Sequence, residues 1–232
     1  KLWDVQAGKE LYTRDHAVTW DRVWRLAFSP DNMILASVDF NGKVTIWDTH
    51  TGNELTYRVD PNGPAYFTSI AFSPDGSILA VGTQYRITLW DMLSTQLIRT
   101  LDFDWKQDEF EGIQRVFFSP DGQMIAATHT KNLAMVWDVA SGKKLSTIVG
   151  GSVFILKHSE GALAFSPNSK IIATGNDDFG NIILWDVIAN KELETIGSEK
   201  CIPLDLIFWR KGNVLEIGCN NGTIQFWGLP LP

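Results

Sequence analysis

Along this chain apolar and polar residues alternate over short runs, and no stretch sustains a helical spacing. Leu26-Ala27-Phe28, Ile34-Leu35-Ala36-Ser37-Val38, Lys43-Val44-Thr45-Ile46-Trp47 and Glu54-Leu55-Thr56-Tyr57-Arg58 read as four successive short strands. Turn chemistry separates them. Ser29-Pro30-Asp31-Asn32 puts proline where a type I turn requires φ near −65°, and Asn41-Gly42 supplies the positive φ of a two-residue hairpin. Ser73-Pro74-Asp75-Gly76, Ser119-Pro120-Asp121-Gly122 and Asn221-Gly222 repeat the pattern. The chain is therefore expected to be all-β.

The pattern is periodic. Phe-Ser-Pro-Asp or a close variant begins at Phe28, Phe72, Phe118 and Phe165, with a worn copy at Phe208, in steps of 44, 46, 47 and 43 residues. Trp-Asp occurs at Trp3, Trp47, Trp90, Trp137 and Trp185, with Trp227-Gly228 as the last member, in steps of 44, 43, 47, 48 and 42. Two markers about 19 residues apart that hold one period define a repeat architecture.

These residues resemble the WD40 repeat family: Phe-Ser-Pro-Asp-Gly, an apolar strand, a hairpin, Ile-x-Leu-Trp-Asp, then Ser/Thr-Gly-Lys. The resemblance implies a WD40-type β-propeller, with about five four-stranded blades visible, closed as such or part of a larger ring. Residues 1–232 are read as one domain with repeat units near 14–58, 59–101, 102–148, 149–196 and 197–232. Residues 1–13 are either an outer strand, Glu10–Thr13 pairing with 223–227 to close the ring, or the remnant of an upstream blade. Trp47, Trp90, Trp137, Trp185 and Trp227 are expected to be blade-packing positions. The family's polar network around this Trp is expected to be mostly missing: His16 and His158 serve two units only, and a hairpin Asp survives at Asp177 or Asp178.

Composition narrows the function classes. Twenty Lys and Arg face 27 Asp and Glu, for a net charge of −7, which argues against nonspecific nucleic-acid binding. No apolar run approaches the roughly 20 residues needed to span a bilayer. Two cysteines cannot form a secreted-type disulfide framework, and the chain is expected to be cytoplasmic. If Phe208 opposes Asn213, Cys201 and Cys219 fall close on adjacent strands, and two buried reduced thiols are the expectation. The absence of an initiator Met suggests a portion of something longer.

Propeller enzymes set carboxylates on the innermost strands, but the corresponding column here reads Arg25, Ser69, Arg115, Ala162 and Asp205. The four histidines have no ligand spacing, so no catalytic residue, metal or cofactor is expected. Individuality lies in the connections between units. Trp20, Tyr66 and Phe67 occupy two of them, and a third, 102–111, combines Phe103, Trp105 and Phe110 with five carboxylates, Asp108 and Glu109 among them. Aromatic anchors among acids suit a protein or peptide partner with a basic segment. The expected function is a non-catalytic interaction scaffold or sensing propeller within a larger multidomain signalling protein. The alternative is a structural subunit of a stable assembly, and a propeller enzyme comes third.

Overall fold

The computed structural model describes residues 1–13, 23–39, 43–59, 67–83, 85–103, 112–129, 133–149, 161–175, 180–197, 201–209 and 212–229. A hairpin of β1 (Leu2–Asp4) and β2 (Lys9–Tyr12) precedes the first full sheet: β3 (Val23–Phe28), β4 (Ile34–Asp39), β5 (Lys43–Asp48) and β6 (Glu54–Val59). The second is β7 (Phe67–Phe72), β8 (Ile78–Thr83), β9 (Arg86–Asp91) and β10 (Leu97–Asp102). The third is β11 (Ile113–Phe118), β12 (Met124–His129), β13 (Leu133–Asp138) and β14 (Lys144–Val149). The fourth is β15 (Leu163–Phe165), β16 (Ile171–Gly175), β17 (Asn181–Asp186) and β18 (Lys191–Gly197). The fifth has three strands, β19 (Pro203–Trp209), β20 (Val214–Cys219) and β21 (Ile224–Gly228). Every sheet is an antiparallel meander in chain order.

The repeated residues build the turns. In Phe-Ser-Pro-Asp the serine is buried, and its hydroxyl donates to the carboxylate two residues on while accepting the N–H five residues on. Ser119 makes both bonds, to Asp121 at 2.6 Å and from Met124 at 2.9 Å; Ser73 does the same, and Ser166 does so with the Asn168 amide oxygen in place of the carboxylate. The Asp of Trp-Asp caps the turn between the third and fourth strands. Asp48 Oδ1 accepts the N–H groups of His50 and Thr51, and Asp91 and Asp138 accept those of Ser94 and Ser141. Five residues after Trp3, Trp47, Trp90, Trp137 and Trp185 the backbone is left-handed, at Gly8, Gly52, Thr95, Gly142 and Asn190. Glycine fits that turn without strain, whereas β-branched Thr95 sits in it at φ 62°.

Blades pack through one recurring device. The residues one and three before each third-strand Trp enter the core of the following blade. Val44 and Ile46 join Ile70, Leu79 and Val81, with Trp90 against them. Ile87 and Leu89 join Ile113, Val116, Ile125 and Trp137. Ala134 and Val136 meet Leu163 and Ile172 with Trp185, and Ile182 and Leu184 meet Leu206, Leu215 and Ile217 with Trp227. Each buried aliphatic contributes roughly 1.5–3 kcal/mol. These four seams hold the blades in sequence.

Two expectations are corrected. Glu10–Thr13 does not close the ring on 223–227. β2 pairs with β1 instead (Trp3↔Glu10, Asp4↔Lys9), and no contact between described strands comparable to the other seams joins the fifth sheet to the first two. The half-blade lies against the first full sheet, where the Tyr12 hydroxyl donates to the His50 carbonyl. Cys201 and Cys219 are joined in a disulfide with Cα atoms 5.0 Å apart, not held as two thiols. The register of that hairpin pairs Phe208 with Leu215, not Asn213, and Pro203 with Cys219.

Candidate interaction surface

Within each blade the first turn is hydrogen-bonded to the third. Thr49 donates its N–H to Met33, Met92 to Ser77, Val139 to Gln123, Val187 to Lys170 and Leu229 to Asn213. In an antiparallel meander both turns lie at the same end, so the Ser-Pro-Asp (Ser-Pro-Asn in the fourth) and Trp-Asp residues of the first four full sheets stabilise one rim. The second hairpin of each blade and the connection to the next blade leave from the opposite rim, where sequence length and content vary most.

Trp20, Tyr66, Trp105, Asp108, Glu109 and Phe110 lie outside the described residues, and Phe67 opens β7 with its side chain outside them. Phe103 is described and turns inward. Its ring meets Trp137 edge-on at 5.0 Å and lies 6.0 Å from His129, half-buried against the core between the second and third blades. The acidic connection therefore leaves from a packed seam, between exposed Asp102 and buried Ile113.

On the innermost strands the residues of this column are engaged in packing, hydrogen bonding and ion pairing. In β3, β7, β11 and β19 the register shifts just before Arg25, Ser69, Arg115 and Asp205. Such bulges re-aim side chains. Ser69 is buried, its hydroxyl accepting the Val116 N–H at 3.0 Å from the next blade, and Ala162 is buried too. Arg115 reaches from the third blade to Asp205 of the fifth, Nη1 to Oδ1 at 3.4 Å. The single carboxylate of the column is thus paired with an arginine, not with a second acid. Among the described residues no group of three or more His, Cys, Asp or Glu is placed to hold a metal.

The Trp positions are only partly networked. Trp47 Nε1 donates to Ser37 Oγ across the sheet at 2.8 Å, whereas Trp90 and Trp227 donate within their own strands, to Thr88 and Gln225. Trp185 Nε1 is buried with no partner among the described residues, although Thr174 stands where Ser37 does, because that hydroxyl donates to the Ala162 carbonyl. His16, His158, Asp177 and Asp178 lie outside the described residues. Sequence reasoning missed the side chains that lock blade to blade at the turn rim. Arg99 donates to the Ala140 carbonyl at 2.9 Å, and Ser146 meets Asn190 at 2.7 Å. The signal was present, since Tyr12, Arg99 and Ser146 all stand nine residues after a Trp.

Successive antiparallel blades joined edge to core in this way define a β-propeller-type repeat protein. A family model described as "WD domain, G-beta repeat" matches residues 8–48 and 56–91, so the chain carries WD40 repeats there. It is 27% identical over 211 residues to periodic tryptophan protein 2 of Arabidopsis thaliana, covering 87% of this chain and 21% of that protein. It is 25% identical to the protein LST8 homolog of Drosophila pseudoobscura pseudoobscura, over 86% of this chain and 60% of that protein. It is 26% identical to transcription initiation factor TFIID subunit 5 of Caenorhabditis elegans, over 89% and 30%. The chain thus spans between about a fifth and three fifths of these curated relatives. Among the described residues no helix is long and apolar enough to cross a membrane.

Proposed function

We propose that the chain is a non-catalytic interaction propeller, a scaffold or sensing domain of a larger multidomain signalling protein in the cytoplasm, that binds a basic protein or peptide segment. The observation that carries this is the division between rims: the recurrent polar residues are engaged in turns at one end, and the connections free to vary leave from the other. Along the sequence, 104–111 holds four carboxylates and one lysine together with Trp105 and Phe110, and Trp20, Tyr66 and Phe67 stand in or directly after the two preceding stretches between repeats. Acids speed the encounter with a cationic segment, and aromatic faces hold it by cation–π contact. Titration calorimetry with Lys/Arg-rich and acidic peptides tests the reading. Binding of the basic set, weakened at least tenfold by Trp105→Ala with Asp108→Asn and by added salt, is expected. Basic-peptide binding that survives the double substitution would sink it.

The second reading, a permanent subunit of an assembly, is favoured by the exposed apolar face of the fifth blade and by the subunit named among the relatives.

A further inference from the structure

In three seams a side chain nine residues after a Trp crosses to the next blade at the turn rim: Tyr12, Arg99 and Ser146. Between the first and second full blades that position holds Thr56, a shorter residue than tyrosine or arginine. A cavity of about 220 Å³ opens in this seam. Ile34, Ile46, Leu79 and Trp90, all members of the seam's apolar core, line it, and Leu55 of β6 stands at its edge. Ile46 and Leu79 are buried whereas Leu55 is 56% exposed, so the cavity runs from the core to solvent. Both blades that form it are complete four-stranded sheets.

Volume and lining decide what fits. An apolar cavity of about 150 Å³ lined by aliphatic side chains stays dry and takes up benzene, so this larger one has room for an aromatic ring. The chain itself shows such a ring in the equivalent place. In the seam before, Leu2, Leu35, Trp47 and Gly52 are the counterparts of Ile46, Leu79, Trp90 and Thr95, and they line one space together with the Tyr12 side chain. Asp91 adds the polar element. Its carboxylate lines the cavity beside Trp90, and residues 91–96 contain no Lys or Arg to neutralise it.

We propose that this cavity is a docking pocket for one aromatic side chain of a partner polypeptide, flanked by a lysine or arginine that pairs with Asp91. The ring is buried against the seam core, which supplies affinity, and the cation at the edge fixes the direction in which the partner enters. The pocket belongs to the turn rim. It is separate from the acidic connection of the opposite rim and does not rest on the reading given to that connection.

NMR of protein labelled at its Ile, Leu and Met methyl groups, titrated with the capped tripeptides Lys-Phe-Lys, Lys-Ala-Lys and Glu-Phe-Glu, tests this. Lys-Phe-Lys is expected to give saturable shifts at Ile46, Leu79 and the neighbouring Met92, and the other two peptides to bind at least tenfold more weakly. Leu55→Trp, which brings an indole to the edge of the cavity, and Leu55→Lys, which adds a competing cation, should each weaken Lys-Phe-Lys at least tenfold. Leu55 is more than half exposed, a matching thermal melt confirms folding, and either variant carries the test if the other loses that melt. Trp105→Ala with Asp108→Asn should leave this binding unchanged. No shift at the three residues overturns the proposal, as does equal binding of Lys-Ala-Lys or of Glu-Phe-Glu, or binding that the folded Leu55 variants leave intact. Loss of binding in the Trp105 and Asp108 variant also overturns it, by placing the peptide at the opposite rim, and that result would support the earlier reading while removing this one.

Discussion

Ser119→Ala isolates the contribution of the repeated turn serine. The side chain is fully buried, donates to Asp121, and accepts the Met124 N–H. Alanine keeps the backbone bonds Ser119 N–H to Met124 and Gly122 N–H to Ser119, so only the side chain's share is lost. A buried N–H left without an acceptor costs about 1–3 kcal/mol, and a lost charged hydrogen bond adds to it. The better burial of a methyl offsets part, leaving about 2 kcal/mol. In a chain of this size that lowers the melting midpoint by about 4–8 °C. Urea unfolding followed by tryptophan fluorescence reads the same change as a lower midpoint at unchanged slope. Ser77→Ala, which removes an exposed hydroxyl bonded to Asp75, is the control and should fall within about 0.5 kcal/mol of the parent. If the two variants melt together, the turn serine does not carry the rim and the explanation of the repeated motif fails.

Other expectations follow from the same geometry. Gly8→Ala should cost about 1 kcal/mol, the backbone penalty of φ 61° alone, and Gly52→Ala about 3, because its methyl must also displace the Tyr12 ring; equal midpoints would refute the docking. Thr95→Gly should stabilise by about 0.5–1 kcal/mol by relieving a β-branched residue at positive φ, and a destabilised variant would contradict that. Hydrogen bonds from Thr51 to Asp48, from Ser94 to Asp91 and from Ser141 to Asp138 hold these carboxyls below their ordinary value of 3.8, and the Ser29 and Ser73 hydroxyls do the same for Asp31 and Asp75. A depressed native pKa stabilises above the unfolded value and is lost as pH falls through the native one, so the urea midpoint should be level from pH 7 to 5 and fall below about 4. A midpoint unchanged to pH 2.5 would contradict it. Reduction of Cys201–Cys219, which spans 18 residues, should lower stability by about 3 kcal/mol, read as a reducing-agent-dependent midpoint.

What was legible in the sequence is what local chemistry specifies. Ser-Pro-Asp and Trp-Asp fold their own turns within a few residues, so the period and the strand succession could be read directly. What escaped depends on pairs distant in sequence. β2 pairing with β1 rather than β21 is a choice between partners that local pattern cannot rank. The expected register already set Cys201 close to Cys219, but whether two neighbouring thiols bond depends on their approach in the folded hairpin, which local pattern does not set. Phe103, read as a partner anchor, lies against Trp137 because β10 ends on a seam, and no pattern within 102–111 reveals that. The first-strand bulges left no composition signal: valine, phenylalanine, isoleucine and proline all precede them.

Near-identical repeats face a hazard that these locking contacts address. Each blade could in principle pack on any other, because the apolar halves of the seams are alike and hydrophobic contact is nondirectional. After Trp3, Trp90 and Trp137 the residue nine positions on breaks that equivalence. Tyr12 needs the bare turn of Gly52 and its neighbouring carbonyl, Arg99 needs Gly142 and the Ala140 carbonyl, and Ser146 needs the Asn190 amide. Placing Ser146 on a glycine turn forfeits its hydrogen bond, and placing Tyr12 or Arg99 on Asn190 meets a side chain where space is required. Apolar seams therefore supply most of the stability, and the polar contacts at the turn rim supply the order, each mismatch costing about 1–3 kcal/mol in an unpaired or displaced group.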